Sequence, residues 1–396
     1  MRLRYLILIL CLILALLSGC GNDNPPPEVK QRSIDDERER LRSLGYTSLD
    51  RTKNSKLRGV TKHDRERTAP GYNLFTNDVD RAFLMDNNGK VVHTWYLKGK
   101  RNCQHVELQE NGDILAVCVE QSFTRLDWNS GVVFNLRIAA DHDFAVLPDG
   151  SYLVAFLYPP LNYKGRPVVF DGIAHVNADG TVRNPKWWSA FKQLKALKKH
   201  HVPSFLDTPP NGRPRPGYVF DYYHMNTLEI LPPTPLGKSD PRFRAGNYLI
   251  CLRNVHLILV LDQDDRSVTW SWGEGVLDMP HMPTLLENGN ILLFDNGTER
   301  KYSRVLEIVP PAGEIVWEYR GHPPESFYSE LRGGIQRLKN GNTLICESER
   351  GRVFEVTREG EIVWEFWNPD VTEGKRKRIY RFHRLDPARV EPLLEN

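Results

Sequence analysis

The sequence predicts an all-β fold, a ring of four-stranded antiparallel blades, with six as the expected number and seven as the alternative. Three observations carry this. A motif of the form polar-Gly-polar-aliphatic-Leu returns five times, at Asn111-Gly112-Asp113-Ile114-Leu115, Asp149-Gly150-Ser151-Tyr152-Leu153, Ala245-Gly246-Asn247-Tyr248-Leu249, Asn288-Gly289-Asn290-Ile291-Leu292 and Asn340-Gly341-Asn342-Thr343-Leu344. Each puts a glycine turn between two apolar strands, the strongest short hairpin signal a sequence offers. A second turn then leads into another strand, as at Asn88-Gly89-Lys90-Val91, Ser130-Gly131-Val132, Asp179-Gly180-Thr181-Val182, Gly313-Glu314-Ile315-Val316-Trp317 and Gly360-Glu361-Ile362-Val363-Trp364. Asp265 to Trp270 fits the same place without the glycine. Two hairpins per unit, returning at about 40 residues where nothing is inserted, is the signature of propeller blades.

Taken in order, the chain opens on a targeting segment. Positive charge at Arg2 and Arg4 precedes an apolar run from Tyr5 to Leu17, which is the layout of a signal peptide and short for a transmembrane helix. Leu17-Ser18-Gly19-Cys20 resembles the bacterial lipobox, so residues 1–19 are expected to leave and Cys20 to carry the acyl chains. Gly21 in place of Asp fits, by the same resemblance, sorting to the outer membrane. The expected location is the bacterial cell envelope, lipid-anchored and facing the periplasm, where chemistry must run without cytosolic nucleotides.

Residues 20–70 are polar, open on Pro25-Pro26-Pro27 and read as a tether, disordered or partly helical from Ile34 to Leu44. The propeller is expected over 71–390. Its first half-unit, Tyr72 to Trp95, lacks a hairpin of its own, and Arg378 to Leu385 is placed to complete it and close the ring. The largest excursion, around 159–219, predicts a helical insertion. Trp188, Phe191, Leu194 and Leu197 share one face of a helix from Trp187 to His201, and the insertion is either a decorated loop or a lid over one end of the ring.

Composition excludes several classes. The 396 residues carry 53 basic and 50 acidic side chains, a balance of +3 that argues against a nucleic-acid binder. Nine Trp, 15 Tyr and 16 Phe are too many for a disordered bulk. Six cysteines are not a disulfide scaffold: Cys11 leaves with the signal, and Cys118, Cys251 and Cys346 occupy one place in successive units. Only Cys103 and Cys118 are near enough in sequence to pair across a hairpin.

One column of the repeat stands out. Eight residues before the turn glycine it holds Gln104, His142, His281 and Gly333, while His224 opens the equivalent strand of the fourth unit. Inner strands of a propeller border its axis, so histidines far apart in sequence meet at one mouth. Converging imidazoles suit either a metal, with Asp141 and Asp143 flanking His142, or covalent catalysis by a neutral imidazole beside a cation. Arg253 supplies a guanidinium matched to sulfate or phosphate oxygens.

Asp221-Tyr222-Tyr223-His224-Met225-Asn226-Thr227, Tyr248 to Arg253, Val268-Thr269-Trp270-Ser271-Trp272-Gly273, Pro280-His281, Asn290 to Gly297 and Ser303-Arg304-Val305 follow in an order and spacing that resemble the bacterial arylsulfate sulfotransferases. The resemblance covers about residues 71–386, the propeller domain alone, and implies a six-bladed propeller that needs no nucleotide sulfate donor. It further implies His281 as a transiently sulfated nucleophile, His224 and Arg253 as ligands of the sulfuryl oxygens, and His142 as an aid to proton transfer. An aryl sulfate would be the donor and a phenol the acceptor, with no metal or other cofactor. The alternative from a different class is a non-catalytic, lipid-anchored propeller that binds a glycan, peptide or partner protein across its face.

Overall fold

The computed structural model describes residues 56–77, 79–163, 165–193, 219–372 and 374–395. The expected signal segment, Cys20 and the helix expected from Ile34 to Leu44 lie outside the described residues. No helix among the described residues is long and apolar enough to cross a membrane.

Antiparallel sheets of four or five strands follow one another along the chain. The second, from Cys103–Leu108 through Ile114–Cys118 and Ser122–Leu126 to Val132–Leu136, is the plainest. The third runs from Ala140–Val146 to Val182–Ser189, the fourth from Met225–Ile230 to Val268–Trp272, and the fifth from His281–Leu285 to Glu314–Arg320. The sixth runs from Gly334–Arg337 to Ile362–Trp367. The first sheet joins the two ends of the chain. Phe382–Leu385 pairs with Tyr72–Thr76, with Tyr72 opposite Leu385 and Phe75 opposite Phe382, as the sequence predicted. From the second sheet to the sixth, first strands of successive sheets pack on one another; Tyr72–Thr76 packs on Cys103–Leu108 and Phe382–Leu385 on Gly334–Arg337, so the ring closes as a propeller.

Burial explains the sequence pattern. Second strands such as Ile114–Cys118, Tyr248–Leu252 and Ile291–Asp295 are buried at every residue. Sheets pack on them from both faces, so they read as unbroken apolar runs rather than alternating ones. The outer strand Val132–Leu136 is largely exposed: four of its five residues are apolar, yet only Phe134 is buried. The recurring hairpin is a three-residue loop rather than a two-residue one. Gln109 accepts from the Gly112 N–H and donates to Asp113 O, with Gly112 at φ +87°. That left-handed backbone follows a turn and carries almost no penalty in glycine.

Cys103 and Cys118 form a disulfide between neighbouring strands. Cys251 and Cys346 are buried free thiols, each donating to a backbone carbonyl of the next unit, Pro280 O and Ile379 O, at 3.2 Å.

Two expectations need correction. The ring does not begin at residue 71: Gly59–His63, placed in the tether, is a fifth strand on the sixth sheet, and Thr68 and Ala69 are buried behind it. An edge strand at the rim needs few apolar residues, and Val60 is its only large one, so composition hid it. The helical insertion is also mis-drawn. Asp171–Val176 and Val182–Ser189 are regular strands of the third sheet, and Trp187 and Trp188 lie in the second of them, followed by a 3₁₀ turn at Ala190–Gln193. The register of that pair slips beside His175, which breaks strict alternation and lets two consecutive tryptophans be buried. What is inserted before Asp171 is a small hairpin, Leu161–Tyr163 with Arg166–Val169. The remainder of the expected helix and lid lies outside the described residues.

Candidate active site

The first strands of the second to fifth sheets begin irregularly at one mouth of the ring. Pairing with the neighbouring strand slips between Cys103 and His105, opposite Val154 to Phe156 in the third sheet, between Met225 and Thr227, and between His281 and Thr284. His142 and His224 both stand at φ +54°, a left-handed backbone that a residue with a Cβ keeps only where its surroundings fix it. Bulges re-aim side chains. Here they turn imidazoles from different sheets toward one another.

His281 opens its strand with both ring nitrogens buried. Nδ1 lies 2.7 Å from Asn296 Oδ1 and 3.2 Å from Met279 O. The amide of Asn296 has one possible orientation, because its nitrogen donates to the carbonyls of Ser329 at 2.7 Å and Arg332 at 2.8 Å. Its oxygen therefore faces the imidazole, Nδ1 carries the proton, and Nε2 keeps the lone pair. That Nε2 is buried and makes no hydrogen bond. Burial holds the ring well below the usual histidine range, and the charge of Arg253 pushes the same way.

His224 is fixed by Asp221, three residues earlier. One carboxylate oxygen bonds Nδ1 and the other accepts the His224 backbone N–H at 3.1 Å. The Nε2 atoms of His142 and His224 are 2.9 Å apart, so one of them carries a proton. With Asp221 holding a proton on His224 Nδ1, the neutral pair has His142 Nε2–H donating to His224 Nε2. Burial lowers both rings far below the ordinary range. Arg253 adds to this for His224, and His224, His281 and Arg253 add for His142. Arg253 follows Tyr248–Leu252 in a short 3₁₀ turn. Its backbone N–H donates to His224 O at 3.2 Å, and Nε donates to Asn254 Oδ1 at 3.0 Å.

All four sequence-predicted residues thus lie within each other's fields, buried at one mouth. Asp143 does not join them: it is held by Arg381 at 2.8 and 2.9 Å and by His105 at 3.1 Å. Asp141 stays beside His142 Nε2, at 3.6 Å. Among the described residues no group of three or more His, Cys, Asp or Glu is arranged to hold a metal ion. Sequence reasoning missed Asp221, Asn296, Arg332 and Tyr380. The first two stand in the quoted motifs, where the spacing Asp-x-x-His and the Asn after Phe294-Asp295 were available signals. Arg332 directly precedes Gly333 of the histidine column, is fully buried and pairs with Glu349 at 3.0 Å. Tyr380, whose ring centroid is 5.4 Å from that of His142, had no sequence signal.

A lone-pair nitrogen, a buried guanidinium and a histidine pair with a movable proton suit a tetrahedral anion under attack. Two family models, both described as Arylsulfotransferase (ASST), match residues 186–369 and 57–277. The chain belongs to the arylsulfotransferase family. His224 and Arg253 fall in both arylsulfotransferase spans, His142 in the earlier one, and His281 with Asn296 in the later one. The family implies sulfotransferase-like chemistry on small aryl compounds.

Among solved structures, a protein of unknown function from Bacteroides caccae shares the fold at 16% identity and a TM-score of 0.50, covering 79% of this chain and 98% of that one. The WD40 β-propeller domain of Doa1 is 13% identical with a TM-score of 0.44, covering 84% and 95%. A streptogramin B lyase is 13% identical with a TM-score of 0.46, covering 83% and 93%. A search of curated proteins finds no match.

Proposed function

We propose that this arylsulfotransferase-family chain is a six-bladed propeller that moves a sulfuryl group from an aryl sulfate to a phenol through Nε2 of His281. The observation that carries the reading is the state of that nitrogen: buried, unprotonated by the orientation of Asn296, and without a hydrogen-bond partner. In the first step the Nε2 lone pair forms the N–S bond as the bond from sulfur to the aryl oxygen breaks and a phenolate leaves. In the second step the acceptor's oxygen forms a bond to sulfur, the N–S bond breaks, and the acceptor's proton passes to the solvent or to the histidine pair. Sulfuryl transfer, like phosphoryl transfer, has a loose transition state in which positioning and fixed charge dominate. Arg253 supplies the charge, and His224 and His142 supply donors and a proton route. Anchoring through an acylated Cys20 in the bacterial envelope completes the proposal.

The test is release of nitrophenolate from 4-nitrophenyl sulfate in the presence of a phenol acceptor. Turnover is expected from the native chain, with a loss of about 10³-fold or more in His281→Ala. Absence of turnover, or a His281→Ala rate equal to the native one, overturns the reading.

A further inference from the structure

The backbone on both sides of His281 departs from strand geometry. Met279 stands at φ +57° and Met282 at φ +47°, left-handed conformations that residues with a side chain keep only where their surroundings fix them. What fixes them comes from the fourth sheet and the turn within it. The Met279 N–H donates to His256 Nδ1 at 3.0 Å. Pro280 O, directly before the histidine, accepts from Asn226 Nδ2 at 2.8 Å and from Cys251 Sγ at 3.2 Å. Directly after it, the Met282 N–H donates to Thr227 Oγ1 at 3.1 Å.

Partners assign the protons in this clamp. Asn226 donates its amide N–H to Pro280 O, so its Oδ1 faces Thr227 and accepts the hydroxyl at 3.0 Å. The Thr227 oxygen keeps a lone pair for Met282. His256 Nδ1 accepts, so the neutral ring carries its proton on Nε2. Burial holds that ring below the usual histidine range, against the pull of Asp278, Glu299 and Asp295. His256 also closes the short turn that carries Arg253, with its N–H on Arg253 O at 3.1 Å and its own backbone at φ +57°. Gly273, the glycine of the Trp272-Gly273 pair, packs onto that turn. A Cβ at this position would lie 2.4 Å from His256 O, so the loop from Gly273 to Pro280 starts against His256 and returns to it at Met279.

We propose that His256 and Thr227 are positioning residues of the sulfuryl-transfer site, clamping the two flanks of His281 so that its Nδ1 stays on Asn296. Through the turn that His256 shares with Arg253, the nucleophile and the guanidinium are held in one register. Neither residue touches the reacting atoms; both act through the backbone of His281. This role rests on His281 being the nucleophile, as proposed for the site.

Two substitutions separate the hydrogen bond from the backbone. Asparagine and glycine both adopt a left-handed backbone readily, and only asparagine brings an acceptor to the place of Nδ1. Thr227→Val removes the acceptor on the other flank. The whole chain is labelled with nitrogen-15 histidine, and the His281 ring signals, identified by their loss in His281→Ala, are read in two-bond proton–nitrogen correlation spectra. The native chain and His256→Asn are expected to show Nδ1 protonated and Nε2 bare. His256→Gly and Thr227→Val are expected to show the two tautomers mixed. With 4-nitrophenyl sulfate and a phenol, these two variants are expected to lose about 10–100-fold in kcat with KM changed less than about twofold, while His256→Asn stays within about threefold of native. A native spectrum in His256→Gly, failure of His256→Asn to restore it, or an unchanged kcat where the tautomers are mixed each overturns the proposal. Should His256→Gly not fold, Thr227→Val decides in its place, and a native spectrum there overturns the clamp. Absence of turnover in the native chain overturns the sulfuryl reading instead, and the spectra then decide on the clamp by themselves.

Discussion

At the scale of single residues, the site works by fixing which nitrogen carries a proton. Asn296 does this for His281 with three hydrogen bonds, one to the ring and two to backbone carbonyls that set the amide's orientation. The consequence for pH follows from the sign of the shift. A histidine whose folded pKa is lowered stays neutral to more acid conditions, so a nucleophilic His281 remains competent below the ordinary histidine value of about 6.5. The acid limb of kcat/KM in the native chain is therefore expected below that value. Asn296→Ala removes the fixed tautomer and is expected to lower kcat about 10–100-fold, the usual range for losing an orienting partner. Asn296→Asp still accepts from Nδ1 but places a negative charge beside the ring, which favours the imidazolium and moves the acid limb upward. Rate against pH for the two variants distinguishes positioning from packing. If Asn296→Asp leaves the limb where it is, Asn296 does not set the state of His281.

Between sheets, the recurring element is a tryptophan latch. Trp270 Nε1 donates to Pro311 O at 3.0 Å, Trp317 to Arg358 O at 2.8 Å, and Trp364 to Asn87 O at 2.8 Å. Each indole closes its own sheet onto a turn of the next, and the third does so across the junction between sixth and first sheets. A hydrogen bond of this kind stabilises by about 0.5–1.5 kcal/mol when its partners are shielded from water. Trp364→Phe keeps most of the apolar volume and is expected to lower the unfolding free energy by about 1 kcal/mol. Trp317→Phe is expected to lower it less, since that contact is exposed and water replaces it. Urea unfolding of the two variants checks the order, and equal losses would contradict it. The latches show why so much of the fold was legible. Glycine turns and Val-Trp strand ends repeat because every sheet needs the same hairpin and the same contact with its neighbour. The strand Gly59–His63 was illegible because it serves one sheet only, at the rim. Trp188 matched a helical spacing with Phe191, Leu194 and Leu197 while occupying a bulged strand, and no local pattern separates those cases. The histidine column was readable because stacked repeats convert equal position into proximity. Asp221 and Asn296 stood in view in the motifs, but what they do depends on tautomers, and a tautomer is settled only by partners from other sheets.

For the whole molecule, one strand of four residues holds the ring both at its seam and at its centre. Phe382–Leu385 supplies the first strand of the first sheet. Arg384, within it, donates to Asn73 Oδ1 at 2.9 Å and to Ala69 O at 3.0 Å and pairs with buried Glu355. Arg381, just ahead, crosses the axis to Asp143 and the Asn226 carbonyl. A chain ended after Arg378 would leave Tyr72–Thr76 without its inner neighbour, and Asp143 and Glu355 buried without the arginines that neutralise them. Stranding one member of a buried ion pair costs about 3–5 kcal/mol, and two such losses with an open seam rival the whole stability of a domain. The truncated chain is expected to show no cooperative thermal transition. Arg381→Met separates the charge from the strand: it keeps the seam, strands Asp143 alone, and is expected to fold with a loss of about 3–5 kcal/mol. Adding Asp143→Asn removes the stranded charge and is expected to restore much of that loss, because a neutral amide leaves less to desolvate than a carboxylate. Calorimetric scans of the three chains decide the matter. A truncated chain that melts at the native midpoint would mean the ring does not need its C-terminal strand. A double variant no more stable than Arg381→Met would mean that Arg381 acts through packing, with its charge incidental to holding the centre.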